Sequence, residues 1–244
     1  MSTPIVKTES GPSKPTTTPN VFSTKAASAP SKIPPTSCFQ TIVTVEVGAE
    51  KKAFLIHKDL LIFYSDYFRG AFDGSFSEAA KGKLFLVDER VNVFSIVNQF
   101  VYTRELSDKD NYELDWDVLI RAWIFGDKYL MPSLQNKVMT TLIEKHTRDN
   151  FLPTLQFKLI WNNTLPGSPL RKVMVDLVAY KCDLGPFLSM DGGQRWPHEA
   201  LIELLTVVGA KRKEDIGKRA LPESNMGKCH YHIHADGEKC DTKL

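Results

Sequence analysis

The chain has 244 residues, 42% of them apolar and 25% charged, with 31 Lys plus Arg against 29 Asp plus Glu. That composition suits a globular protein of one large or two small domains, and the lack of any apolar run of about 18 residues excludes a transmembrane helix. The first residues lack the apolar core and cleavage site of a secretory signal, and four cysteines at 38, 182, 229 and 240 are too scattered for a disulfide framework, so an intracellular home, cytoplasmic or nuclear, is expected.

Residues 1–37 hold half of the 14 prolines, and Lys7, Lys14, Lys25 and Lys32 against Glu9 put a net +3 there. The rest of the chain is left at −1 of the overall +2, so nothing global points to nucleic acid. With isolated apolar residues and so much proline, this segment reads as a disordered leader. Order is expected from Cys38. Val43, Val45 and Val47 alternate with Thr44 and Glu46, residues 48–51 supply a turn, and residues 53–57 form a second strand-like run, which together predict a hairpin with one buried face. After Lys58 the period becomes helical through Leu60, Leu61, Tyr64 and Phe68, with Ser65 placed to cap the short helix carrying Tyr67 and Phe68. Residues 83–87 predict a third strand. A helix follows with Asn92 as its expected N-cap and Val93, Ile96, Val97, Phe100 and Val101 as its stripe. Residues 103–113 read as a loop. Trp116, Leu119, Ile120 and Trp123 mark the next helix, and Pro132 suits the first turn of another, in which Leu134, Val138 and Leu142 share a face. The expected class is α+β, a small sheet capped by a helical cluster over 38–147. A helical extension over 148–209 follows, with helices at 152–161, 170–181 and 198–208, and then a basic, Cys/His-rich tail over 210–244.

VTVEVG (43–48), FLIHKDLLIFYSDYFRGAFDGSFSEA (54–79), LFLVDE (84–89), FVYT (100–103) and GDKYLMPSLQNKV (126–138) occur in this order. Over about 38–145 the chain resembles the BTB/POZ family, in particular the short BTB proteins of filamentous fungi. The resemblance implies a protein-interaction module without catalytic activity, one that in many members acts as a substrate adaptor for cullin-type ubiquitin ligases. In such adaptors a large apolar residue, any residue and Glu contribute to cullin contact, and Phe76-Ser77-Glu78 matches that pattern. The bland alternative is that Phe76 packs on its own domain and Glu78 is solvated. His57 is expected to tie the strand end to the following helix rather than act as a base, and Tyr129, Leu130 and Leu134 to pack the helical layer. Many family members carry Asp where Thr41 stands, so the charged pocket of the transcription-factor branch is not expected. The Pro-rich stretch before the first strand argues against the family's domain-swapped dimer and leaves a monomer or another homodimer surface open.

Cys229, His232, His234 and Cys240 lie within twelve residues, with His230 beside them. Thiolate and imidazole are preferred zinc donors, so the tail either wraps one structural zinc or stays an unmetallated loop. The run Lys211, Arg212, Lys213, Lys218, Arg219 reads as a linker or as a nuclear import signal. The alternative to an adaptor is therefore a nuclear, transcription-related regulator using this tail. No P-loop, dinucleotide fingerprint, nucleophile elbow or triad supports an enzyme. Which partner or cargo is bound is not written in the sequence.

Overall fold

The computed structural model describes residues 34–74, 77–107, 114–183 and 196–211. A 3-10 turn at Thr36–Phe39 leads into strand β1 (Ile42–Val47), which pairs antiparallel with β2 (Lys52–His57), Val45 opposite Phe54. The connecting turn places Gly48 at φ +74, a left-handed conformation that suits a residue without a side chain. Helices α1 (Lys58–Tyr64), α2 (Asp66–Asp73) and α3 (Ser77–Lys81) carry the chain to β3 (Lys83–Leu86), which lies parallel to β1 in a sheet ordered β2-β1-β3. The expected alternation holds: Val43, Val45, Val47, Ile56, Leu84 and Leu86 are buried on one face.

Helices cover that face and its flank. Helix α4 (Val91–Thr103) buries Val93, Phe94, Ile96, Val97, Phe100 and Val101, and α5 (Trp116–Lys128) buries Leu119, Ile120, Trp123 and Phe125. Helix α6 (Pro132–Asp149) opens on its proline, whose missing N–H costs nothing in a first turn. A 3-10 turn at Thr154–Gln156 precedes α7 (Phe157–Asn163), followed by α8 (Pro169–Lys181) and α9 (His198–Lys211). One apolar cluster runs without a break from Cys38 to Leu204, so the late helices share a core with the sheet and helices before them.

Four details differ from the sequence reading. The N-cap of α4 is Arg90, not Asn92. Asn92 lies inside the first turn, where its side-chain oxygen accepts from the Val93 N–H at 3.0 Å, meeting an orphan donor from within. The helix expected over 152–161 begins only at Phe157, because Pro153 disfavours α geometry in the residue before it. Leu130 does not pack the helical layer: at φ +52 it turns the chain between α5 and α6 and is 54% exposed, while Tyr129, Met131 and Leu134 fill the core. His57 does not bond the start of α1. Its Nδ1 lies 2.9 Å from the Tyr102 hydroxyl, which also accepts from the His57 backbone N–H, so the strand end is tied to α4, 45 residues on. Among the described residues, no helix is long and apolar enough to cross a membrane. Of the leader expected over 1–37, residues 34–37 are described, the last two in the 3-10 turn, and residues 1–33 lie outside the described residues, as does the tail from 212.

Candidate interaction surface

The candidate surface is built on α2, α3 and β3. Ser65 interrupts the helical run in an extended conformation, and its hydroxyl oxygen accepts from the Phe68 N–H at 3.1 Å, capping α2 as its position in the sequence suggested. The same hydroxyl donates to the Tyr129 carbonyl at 2.6 Å. One buried serine therefore starts α2 and fastens it to the turn after α5. Packing repeats the tie: Phe68 stacks on Tyr129 with ring centroids 5.8 Å apart, and Tyr67 meets Tyr129 edge-on at 4.9 Å.

Tyr129 is in turn held from outside. Its hydroxyl donates to Glu89 at 3.0 Å, and Lys128 reaches the same carboxylate oxygen at 2.7 Å. Burial, and then the Glu89 carboxylate, keep the phenol protonated well above the ordinary tyrosine range. Lys58, which follows the tied His57, donates its backbone N–H to the Thr41 carbonyl at 2.8 Å and pairs its ammonium with Asp73 at 3.0 Å.

With α2 so anchored, its outer side leaves an open pocket of about 410 Å³ against α3 and β3, lined by Asp66, Tyr67, Gly70, Ala71, Glu78 and Leu84. Asp66 is paired with Arg69 at 3.3 Å, and Arg69 also donates to the Ile62 carbonyl. At Gly70 an added Cβ would meet nothing within 4 Å, so the floor there is open because the side chain is missing, not because the backbone requires glycine. The lining joins two carboxylates with a half-exposed phenol and apolar carbon, a mixture suited to grasping a partner side chain and lacking a nucleophile–base pair. Of the two residues singled out in the sequence, Glu78 stands in the first turn of α3 on this pocket, and Phe76 lies outside the described residues. Tyr67 and Asp66 were not anticipated. Their one sequence signal is that Tyr67 falls off the Tyr64–Phe68 stripe.

Residues 37–146 match the model of the BTB/POZ domain. This chain carries a BTB/POZ domain. The sheet, the helical layer and the α2–α3 pocket all fall within the matched stretch, and a BTB/POZ domain is a protein–protein interaction module that often dimerises and is generally non-catalytic. No curated protein matches the chain.

Beyond the BTB/POZ domain, the late helices converge on Arg171, a guanidinium only 5% exposed. It donates to the Thr164 hydroxyl at 2.9 Å, to the Trp161 carbonyl at 2.8 Å, to the Thr164 carbonyl and to Glu203 at 3.3 Å. The end of α7, the first turns of α8 and the middle of α9 are thereby clamped by one planar fork. The indole N–H of Trp161 donates to the same Glu203 oxygen. Cys229, His232, His234 and Cys240 lie outside the described residues, and among those described no three His, Cys, Asp or Glu side chains cluster as metal donors.

Proposed function

We propose that this protein is an intracellular adaptor: its BTB/POZ domain docks on a cullin-type scaffold through Phe76 and Glu78, and the helices after residue 150 extend that surface or hold a cargo. The supporting observation is that Glu78 of α3 shares a pocket with Leu84 of β3 and with Asp66 and Tyr67 of α2, the helix that Ser65 and Tyr129 pin from beneath. An anchor on a rigid floor loses little entropy on binding. Pull-down with a purified cullin N-terminal domain tests it. The wild-type chain should be retained, Phe76→Ala and Glu78→Lys should each weaken retention, and a wild type that fails to bind removes the ligase role. In this reading the Cys229, His232, His234 and Cys240 tail holds one structural zinc, so elemental analysis of the purified chain should find one zinc per molecule and none in Cys229→Ser. The competing role, a nuclear regulator contacting nucleic acid through residues 211–240, requires a salt-dependent shift of DNA by the full chain.

A further inference from the structure

The sheet has a second face, and two of its three strands leave it apolar. On β1 the alternation is that of a half-solvated sheet, with Thr44 and Glu46 outward between buried valines. On β2 and β3 the outward positions include Ala53, Leu55 and Phe85, with Leu55 69% and Phe85 49% exposed, and Ile42 at the head of β1 is 58% exposed. The register sets Leu55, Thr44 and Lys83 in one row and Ala53, Glu46 and Phe85 in the next. Leu55 and Phe85 therefore stand roughly 12 Å apart, two strand spacings across and two residues along. Apolar side chains gathered on an exposed face mark a contact surface. The α2–α3 pocket takes Leu84 from the inner face of β3 and is not part of it.

The charges on the face say what fits it. Glu46, the one carboxylate among the strand residues of this face, is taken by Lys83, whose ammonium also lies 5.0 Å from the Phe85 ring centroid. Lys51, in the turn before β2, holds a second ammonium 6.0 Å from the same ring, and among the described residues no carboxylate pairs with it. The face thus offers apolar carbon and an unanswered positive charge at one corner. A second copy of the chain would bring the same ammonium and no free carboxylate to meet it. We propose that the face docks an acidic amphipathic helix of a partner protein, its apolar stripe crossing Leu55 and Phe85 and a carboxylate reaching Lys51. Positions i and i+7 lie on one side of a helix about 10.5 Å apart, close to the span between those two residues. The domain is a protein–protein interaction module, which favours a protein segment over a lipid surface. Neither Phe76 nor Glu78 takes part, so the proposal is independent of the adaptor reading.

Fluorescence anisotropy of a labelled helical peptide, titrated with the full chain, tests the proposal. The peptide has about 18 residues, with Leu along one face and Glu on the rest. It should bind about tenfold more tightly than a matched peptide carrying Lys in place of Glu. Leu55→Ser and Phe85→Ser, both at exposed positions, should each weaken binding of the Glu peptide about tenfold. Lys51→Glu should invert the preference between the two peptides, and this turn substitution keeps the test decisive should a serine variant fail to fold. Equal binding of the two peptides overturns the proposal, as does a preference that Lys51→Glu leaves in place. Tighter binding to phosphatidylserine vesicles than to the Glu peptide overturns it in favour of a lipid surface. Self-association of the chain that Leu55→Ser abolishes overturns it in favour of a second copy.

Discussion

Around Tyr129 the BTB/POZ domain is held by rings, with Phe68, Tyr67 and Phe125 all packed on one phenol, whereas the helices after residue 156 meet on one buried guanidinium. The two differ in how damage spreads. Apolar packing distributes its stabilisation over many weak contacts, so one loss leaves a cavity that neighbours partly fill. A buried cation with four acceptors has no such tolerance, since removing it takes a donor from two carbonyls, a hydroxyl and a carboxylate together. Every acceptor of Arg171 comes from α7, α9 or the residue closing α7, so the late helices are organised among themselves and joined to α5 by apolar contact.

The largest expected effect lies in the apolar core of the BTB/POZ domain. Trp123→Ala empties a site that is 2% exposed and should cost about 4 kcal/mol in urea unfolding. Arg171→Met should cost about 3 kcal/mol. Hydrogen exchange sharpens the contrast: amides of α7, α8 and α9 should lose protection while those of β1–β3 keep theirs, and equal loss in both would show a single cooperative unit. Gly126→Ala should cost about 2 kcal/mol, because its Cβ would come within 2.8 Å of the Gln135 side chain and 3.4 Å of the Met131 carbonyl, with α6 in the way of relief. Thermal unfolding of that variant checks it. Ser65→Ala removes the α2 cap and the tie to the Tyr129 carbonyl, for about 1.5 kcal/mol by chemical denaturation.

The smallest effect is in alkali. The unfolded chain releases the Tyr129 proton near pH 10 as ordinary tyrosines do, while the folded chain holds it, so this contribution is complete below about pH 10 and fades as the pH rises beyond it. Stability measured from pH 8 to 11 should therefore fall less steeply in Tyr129→Phe than in wild type. Equal slopes would mean that the phenol does not stay protonated in the fold.

Much of the fold was legible because its causes are local. The alternation of Val43, Val45 and Val47, the capping serine at 65 and the proline at the head of α6 each act within a few residues, and the five ordered motifs identified the family. Leu130 was misjudged because spacing predicts a helical face only while the helix continues, and the chain turns there. In the candidate surface, the sequence could single out Glu78 by pattern, but not that Tyr67 and Leu84 share its pocket, since those come from separate elements.

By itself, then, the sequence determined the α+β class, the buried face of the hairpin and the family of residues 37–146, because periodicity, caps and turns are written in neighbouring residues. The tertiary structure alone decided that Arg171 lies inside, that Tyr102 rather than α1 takes His57, and that Lys83 pairs with Glu46 on an open face beside Leu55 and Phe85. These depend on groups from 7 to 45 residues apart being brought within bonding distance, and no local pattern carries that distance.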